Sequence, residues 1–170
     1  MTLFPSPVPA PGYDGPPPEI SREIYGMPAF ATILVTDLAA SVSWFVDGLG
    51  FIVLFSIPGP DGVPVLVHLR RWQFQDILLR PSSSSVSAGS NLSLSFAAVV
   101  GELDDLAARA RAHGGGEVSG PTDTAWNTRD LMTTCPDGCV VNFTAARPPT
   151  QHDATFTARM AEWNRDQAQS

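Results

Sequence analysis

The sequence predicts an α+β protein in which a unit of one strand, one helix and three strands occurs twice. Three observations support this prediction. The order of strand and helix signals restarts after residue 90, and the tetrapeptide "VTDL" at 35–38 is echoed by "VGEL" at 100–103. Asp37 also lies as far before Gly50 as Glu102 lies before Gly115. Such an internal repeat determines the architecture, because each copy is expected to adopt the same supersecondary structure.

The first half of the body begins at about Ala29 and contains the clearest helix signal. "FATILVT" is rich in β-branched residues and predicts a strand, after which Asp37 is placed to cap a helix that Gly50 ends. Three further strands are predicted from "FIVLFSI", "VPVLVHLRR" and "QDILLRP", with a turn at "PGPDG". The helix has an apolar stripe at helical spacing, formed by Leu38, Val42, Phe45 and Leu49.

The second half repeats this order. "LSLSFAAVV" predicts a strand, and "ELDDLAARARAHGG" predicts a helix that the glycines end. "GEVSG" is expected to hold a short strand and "PTDTAW" to form a loop. "TRDLMTTC", a Pro136-Asp137-Gly138 turn and "CVVNFTAA" then predict a β-hairpin. The serine-rich "SSSSVSAGS" between the halves is expected to be a flexible loop.

Two segments outside the repeat differ in composition from the body. Half of the 16 prolines lie in residues 1–28, where they disfavour a helix or a central strand. This arm is either a disordered tail or an extended segment laid over the body or a partner subunit. Residues 148–170 are expected to form a helix. This helix docks on its own domain, contacts a dimer partner or forms a lid. The candidate apolar anchors are Phe4, Tyr13, Ile20, Ile24 and Tyr25 in the arm, and Phe156, Met160 and Trp163 in the helix.

The charge and the cysteine count limit the class of protein. Aspartate and glutamate total 17 against 10 arginines, and the net charge of −7 argues against a nucleic-acid partner. No apolar run approaches the length of a membrane span and no signal peptide is recognisable, so a cytoplasmic location is expected. Cys135 and Cys139 are too few for a disulfide framework, and the expectation is two free thiols, with a cross-hairpin disulfide as the alternative.

Several motifs resemble those of the vicinal-oxygen-chelate superfamily, which includes glyoxalases, ring-cleaving dioxygenases and bleomycin-resistance proteins. In "VTDLAASVSWFVDGLGF" the matching features are the Asp-Leu pair, Ser41, the aromatic pair Trp44-Phe45 and the final Leu-Gly-Phe. Trp126 and Arg129 match the Trp-x-x-Arg pattern at the entry to a strand, and "CPDGC" matches the hairpin that follows it. These motifs are typical of the fold and leave the chemistry open, because the superfamily hosts many activities.

The resemblance covers residues 29–147, in modules of about 29–81 and 91–147. It implies two βαβββ modules that curl into a half-open barrel with a cleft and with the helices outside. Metal-dependent relatives hold a divalent ion in that cleft with His, Glu or Gln side chains. The corresponding positions in this sequence carry Phe30 or Ala31, Leu78 or Leu79, Ser93 or Ser95, and Asn142. Because these residues do not supply such a ligand set, we expect neither a metal nor a cofactor here.

The candidate site residues indicate ligand binding rather than a reaction. No phosphate-binding loop, nucleophile elbow or HExxH motif is present, so no catalytic residue is assigned. The resemblance implies that Trp126 stacks on a flat ligand at the mouth of the cleft, with Phe30 and Asn142 at its floor. His68 lies in the middle of a predicted strand. It is either a structural residue that forms hydrogen bonds or a part of the cleft. Two further aromatic residues belong either to the core or to the cleft, Trp44 and Trp72.

The leading hypothesis is a metal-free homodimer of the bleomycin-resistance type that sequesters a bulky aromatic natural product. Its role would be antibiotic self-resistance or carriage during biosynthesis, and the acidic surface admits a cationic ligand. The first alternative is an enzyme on the same fold, acting on a natural product or small metabolite. It would be metal-free, with His68 paired to Asp76 or Asp130, or would use an atypical metal site around His68. The second alternative is a regulatory or structural subunit without a ligand.

Overall fold

The computed structural model describes residues 15–26, 29–84 and 93–167 as two modules followed by a helix. The first module contains β1 (Ala31–Val35), α1 (Leu38–Ser43, continued by the π-helical segment Trp44–Gly48), β2 (Ile52–Pro58), β3 (Pro64–Arg70) and β4 (Asp76–Pro81). The second contains β5 (Ser93–Ala97), a 3₁₀ turn (Val100–Glu102), α2 (Leu103–His113), β6 (Glu117–Asp123), β7 (Thr128–Thr134) and β8 (Val140–Ala146). A short 3₁₀ turn (Pro149–Gln151) and α3 (Ala154–Gln167) complete the described chain.

Each module forms its own four-stranded sheet with the same topology. The strand orders are β1-β4-β3-β2 and β5-β8-β7-β6, and in each sheet the first strand pairs in parallel with the last while the other pairs are antiparallel. The described strands thus form two mixed sheets and no closed barrel. This arrangement confirms the α+β fold of two βαβββ modules. Most of the loop predicted between the modules lies outside the described residues.

The helix of the first module begins where the sequence predicts. The Asp37 side chain accepts a hydrogen bond from the Ala40 amide at 2.9 Å, which satisfies one of the free donors of the first turn. The helical segment ends at Gly48, and the chain turns away at Gly50, which has a positive φ of 74° that a residue with a side chain rarely adopts. Phe45 and Leu49 of the predicted stripe are fully buried.

One strand is longer than predicted. The segment expected to be a loop, "PTDTAW", belongs in part to β6, which runs from Glu117 to Asp123. A register shift between Ser119 and Thr122 accommodates Pro121, which has no amide hydrogen to donate to the ladder. Pairing with β7 then resumes as far as Asp123, so the tertiary partner overrides the turn-like composition of the segment.

A single buried core joins the two modules. Apolar side chains from both sheets, from α1 with its π-helical continuation and from α2 belong to one contiguous cluster. A row of aromatic rings crosses it: Phe45 contacts Phe51 at 5.4 Å between centroids, Phe51 contacts Phe96 at 5.6 Å, and Phe96 contacts Phe143 at 6.2 Å. Because this row passes from the first sheet to the second, the modules fold against each other as one body.

The last hairpin of the second module docks on the first module. The carboxylate of Asp137, in the turn between β7 and β8, accepts hydrogen bonds from the Thr36 amide at 3.1 Å and from the Thr36 hydroxyl. The Ser41 hydroxyl lies 3.4 Å from its other oxygen. We call this contact the Asp137 latch. It fixes the junction between β1 and α1 against the opposite module.

The reciprocal contact uses different chemistry. Arg71 and Gln75, in the turn between β3 and β4, donate hydrogen bonds to the Ala97 carbonyl oxygen at the end of β5, at 2.7 and 2.9 Å. Arg71 also forms an ion pair with Glu102, at the start of α2. The two docking contacts therefore have opposite polarity: an acid on the hairpin of the second module and a base on the hairpin of the first.

The described part of the N-terminal arm and the C-terminal helix both contact the body. Arg70 donates hydrogen bonds to the carbonyl oxygens of Ser21 and Glu23 in the arm, at 3.0 and 2.6 Å, and its guanidinium lies 4.3 Å from the centroid of the Tyr25 ring. The described part of the arm is therefore an extended segment laid over the body. Of its candidate anchors, Ile24 is 72 % exposed, and Phe4 and Tyr13 lie outside the described residues.

The C-terminal helix α3 is held by polar contacts. Asp153 caps the helix at the Phe156 amide, and the side chain of Asn127 contacts both the Asp153 amide, at 2.6 Å, and the Thr157 hydroxyl, at 3.2 Å. Phe156 is half-buried and Met160 is exposed; the side chain of Trp163 lies outside the described residues. None of the helices described, α3 included, has the length and apolar character needed to cross a membrane.

Candidate functional site

The first sheet presents an apolar face on the side away from the core. Leu78 of β4 is opposite His68 of β3, and His68 is opposite Phe55 of β2, so these side chains share one face. Leu34 and Ile57 lie on the same face, where they are 49 % and 47 % exposed. An apolar sheet face of this kind is unusual on a free protein surface and marks a site of interaction.

The corresponding face of the second sheet is polar. Ser95 of β5 is opposite Asn142 of β8, and Asn142 is opposite Met132 of β7. The amide of Asn142 and the hydroxyl of Thr144 both approach the carboxylate of Asp130, at 3.4 and 2.7 Å. This group of donors and acceptors offers hydrogen bonds to a ligand.

A groove of about 290 Å³ lies between the first strands of the two modules. Its walls are largely aromatic, through Phe30, Phe74 and Phe96, and its polar groups come from Asp76 and Ser95. The remaining lining residues are Ala29, Ala31, Ile77 and Leu94. A groove with apolar walls and a few polar groups has the character of a small-molecule site.

A hydrogen-bonded cluster lies at the wall of this groove. The ring nitrogen Nε2 of His68 donates to Oδ1 of Asp76 at 2.6 Å, and Nε of Arg70 donates to the same oxygen at 2.8 Å. The phenyl ring of Phe55 packs edge-on against the imidazole, with 4.9 Å between the ring centroids. Asp76 and Arg70 are buried almost completely, so their charges compensate each other out of water.

The second oxygen of Asp76 has no partner. Oδ2 is buried, and no donor among the described residues lies within hydrogen-bond distance of it. The arm closes over this region, because the Tyr25 hydroxyl accepts a hydrogen bond from the Phe74 amide at 2.7 Å and the Tyr25 ring packs on Phe74. A buried carboxylate oxygen without a donor is rare, and it marks a place where a ligand donor or water is accommodated.

The family of this chain is assigned by comparison with known proteins. The profile of the glyoxalase/bleomycin resistance protein/dioxygenase superfamily matches residues 28–143. The chain belongs to this superfamily. The match covers both βαβββ modules up to β8 and leaves most of the N-terminal arm and the C-terminal helix outside it. No curated protein matches the chain significantly.

Solved structures of other proteins share the fold. TioX from Micromonospora sp. ML1 is 22 % identical with a TM-score of 0.54, covering 71 % of this chain and 98 % of TioX. The genomically encoded fosfomycin resistance protein FosX from Listeria monocytogenes is 15 % identical with a TM-score of 0.57, covering 73 % and 95 % of the two chains. A mutant of FosX solved with Mn(II) is 16 % identical with a TM-score of 0.57, covering 79 % and 99 %. At these identities the likeness concerns the fold alone.

The residues at the superfamily's metal-ligand positions do not fit a divalent metal in this chain. Phe30 and Leu78 supply no donor atom, and Ser95 and Asn142 supply neutral oxygens only. Within the described ranges, no three His, Cys, Asp or Glu residues are grouped closely enough to hold a metal ion. His68 is engaged with a carboxylate that also binds a guanidinium, which weakens the case for an atypical metal site around it.

The structure places Trp126 apart from the other predicted ligand-binding residues. Its side chain is 57 % exposed, in the turn between β6 and β7. Trp126 lies two residues before β7 begins, whereas Met132, which is opposite Asn142, lies in the middle of that strand. Arg129 forms ion pairs with Asp123 and Asp104, as expected for a structural residue.

Trp44 and Trp72 lie in the core rather than in the groove. Trp44 is fully buried, its ring contacts His113 at 5.6 Å between centroids, and its indole nitrogen has no hydrogen-bond partner among the described residues. Trp72 is 5 % exposed and lies under the guanidinium of Arg71, at 4.1 Å. Burial lowers the pKa of Arg71, and Glu102 opposes this effect. Neither indole presents a face to a ligand in this conformation.

The aromatic groove residues Phe74 and Phe96, and Arg70 of the cluster beside the groove, were not identified as site residues from the sequence. The pairing of His68 with Asp76 is one of the two that the sequence analysis named, and the hairpin of β3 and β4 brings it about by placing residues two apart in register on one face. Phe74 has a positive φ of 64° in the turn between the strands, a conformation that its sequence does not indicate. Phe96 belongs to the other module, and only the docking of the modules brings it to the groove.

Proposed function

We propose that this protein is a metal-free binding protein for a bulky aromatic small molecule of the natural-product class. The observation that carries the proposal is the groove between the modules, where Phe30, Phe74 and Phe96 supply aromatic walls. The resemblance to the superfamily implies that Phe30 stands where metal-dependent relatives have a ligand. Flat ligands bind such walls through their faces, with little ordering of the protein. The biological role would be sequestration for antibiotic self-resistance, or carriage during biosynthesis.

The polar groups of the site would give the ligand its orientation. On the second sheet, the amide of Asn142 offers a donor and an acceptor, and the carboxylate of Asp130 offers acceptors. At the groove wall, Oδ2 of Asp76 and the second ring nitrogen of His68 offer acceptors. Trp126 would extend the contact as a rim residue that covers one face of the ligand. Because Trp126 lies outside the groove, in the turn before β7, a ligand that contacts both it and Asn142 is large or is bound by two chains.

A homodimer supplies the second chain in this proposal. The apolar face formed by Leu34, Phe55, Ile57 and Leu78 is exposed in a single chain, and a second copy would cover it while bringing its own Trp126 and Asn142 towards the groove. Isologous pairing of this kind repeats the contact twice. Sedimentation at micromolar concentration tests it; a monomer would remove this part of the proposal and leave the groove within one chain.

Calorimetric titration with a panel of DNA-damaging and aromatic antibiotics tests the binding function. Trp126→Ala removes an aromatic face worth about 1–3 kcal/mol, so the affinity should fall about ten- to a hundredfold. Phe30→Ala should have an effect of the same order at the groove. Val63→Ala is the matched control, because Val63 is equally exposed, at 59 %, in the turn between β2 and β3. Equal affinities in all three variants would exclude the proposed site.

The 2.6 Å contact between His68 and Asp76 favours one alternative, a metal-free enzyme. A carboxylate that holds an imidazole in one tautomer leaves the other ring nitrogen free to accept a proton. Mass spectrometry of the ligand recovered after incubation distinguishes the two functions. Unchanged ligand supports binding alone. Altered ligand, with the alteration lost in His68→Gln while the affinity is kept, would replace the proposal by acid–base catalysis.

A further inference from the structure

The turn that carries the Asp137 latch is flanked by the only two cysteines of the chain. The Cys135 amide donates to the Cys139 carbonyl oxygen at 2.8 Å, and the Gly138 amide donates to the Cys135 carbonyl oxygen at 2.8 Å. With Gly138 at a φ of 82°, this is a three-residue hairpin turn closed by a bulge. Residues opposed in this way have Cα atoms about 5.5 Å apart, which is the separation that a disulfide spans.

The two thiols differ in accessibility and in ionisation. Cys135 is 4 % exposed and belongs to the buried core, whereas Cys139 is partly exposed and packs against that core. The neighbouring sulfur of Cys139, together with burial, raises the pKa of the Cys135 thiol. The neighbouring Cys135 thiol lowers the pKa of Cys139. The accessible sulfur is therefore the better nucleophile and the buried one remains protonated beside it.

A depression beside the hairpin lies on the side of Cys135, and the partly exposed Cys139 is outside its lining. The depression has a volume of about 560 Å³ and is lined by Cys135, Pro136, Gly138 and by Gly115 and Gly116 of the turn after α2. Both cysteines are free, and nothing in the proposed ligand site uses them. The pair stands at the base of the latch between the modules, away from the aromatic groove.

We propose that Cys135 and Cys139 form a redox-active dithiol site that reacts with hydroperoxides. The Cys139 thiolate attacks one peroxide oxygen, the O–O bond breaks, and hydroxide leaves and takes up a proton to give water. Cys139 is then a sulfenic acid. The Cys135 thiol attacks this sulfur, the S–O bond breaks, and a second water leaves as the disulfide forms. In sum, two thiols and one hydrogen peroxide give one disulfide and two waters, and the sulfurs are oxidised.

Hydrogen peroxide added to the fully reduced protein tests this assignment. Intact-mass spectrometry should find the loss of two hydrogen atoms, and thiol titration should find both thiols disappearing together. Because the chain has two cysteines, no other pair within one chain can account for such a result. A product that retains oxygen on both sulfurs, or one that is cross-linked between chains, would overturn the proposal.

Two serine variants assign the roles. In Cys135→Ser the reaction should stop at the sulfenic acid of Cys139, which dimedone captures. In Cys139→Ser the Cys135 thiol should react at least about tenfold more slowly, because it is 4 % exposed and its burial still disfavours the thiolate. Circular dichroism establishes that both variants are folded. Equal rates in the two variants, or sulfenic acid on Cys135 alone, would refute the division of roles on which the site depends.

Discussion

The Asp137 latch allows a quantitative test of how the modules are held together. Asp137→Ala removes the acceptor for the Thr36 amide and the Thr36 hydroxyl, together with the weaker contact to Ser41. A hydrogen bond to a charged group contributes about 1.5–3 kcal/mol when it is sheltered. The carboxylate also lies beside the N-terminus of α1, where a negative charge contributes about 0.3–1 kcal/mol.

The latch is half-exposed, and water weakens its electrostatic contributions. We therefore count the bond to the Thr36 amide near its lower limit, and we count the bond to the Thr36 hydroxyl and the helix-dipole interaction as small additions. The expected loss is about 2 kcal/mol in the free energy of unfolding. For a chain of this size, 1 kcal/mol corresponds to about 2–4 °C in Tm, so Asp137→Ala should melt about 4–8 °C lower. Urea unfolding should give the same free-energy change without a change in slope.

The chain contains its own control for this measurement. The tripeptide Pro60-Asp61-Gly62, in the turn between β2 and β3, has the same sequence as the latch turn, but Asp61 accepts a hydrogen bond from the Val63 amide within its own turn. Asp61→Ala should therefore cost about 0.5 kcal/mol or less. If the two alanine variants lose the same stability, the latch contributes no more than an ordinary turn and the reasoning fails.

Three further predictions concern other parts of the molecule. Asp76→Asn leaves a buried guanidinium without its carboxylate and should cost about 3–5 kcal/mol in urea unfolding; a loss below 1 kcal/mol would count against the cluster. Gly116→Ala places a methyl group against a backbone carbonyl and an indole ring and should cost about 1–3 kcal/mol, whereas Gly101→Ala meets nothing and should be nearly neutral. Alkylation of Cys139 followed against pH should reach half its maximal rate below the ordinary thiol pKa of about 8.5, because its pKa is lowered, and this midpoint should rise in Cys135→Ser.

The order of the elements was predictable because local signals mark it. Alternation in "VPVLVHLRR", the cap at Asp37 and the glycine at 50 each have a short-range physical cause, and all of them act as predicted. The exception is β6, where Pro121 and its polar neighbours indicate a loop and the ladder to β7 prevails. The residues by which β6 exceeds the predicted short strand are held by pairing with β7, and no local signal in the sequence marks them.

The site was less predictable, because it depends on how the two modules dock. Phe30 was expected at the cleft from the superfamily motif, and it lines the groove. Nothing in the sequence indicates that Phe96 of the other module faces it, since that contact depends on the packing of the shared core. Trp44 was expected in the core or in the cleft, because an aromatic residue at helical spacing is compatible with both. Its place in the core depends on the packing of α2, whose His113 contacts the Trp44 ring.

The unlike chemistry of the two docking contacts makes the halves of this protein complementary rather than interchangeable. If two copies of the second module were joined, Asp137 of one would approach Gly101 of the other, which has an amide but no hydroxyl to donate in place of Thr36. The contacts of Arg71 would also be lost, because the turn between β7 and β8 contains no arginine. A chain made of one duplicated half should therefore close less stably than the native chain, whereas a circular permutant that keeps one copy of each half retains both contacts. The chemistry of two short turns thus favours heterotypic assembly within an architecture whose two halves share one topology.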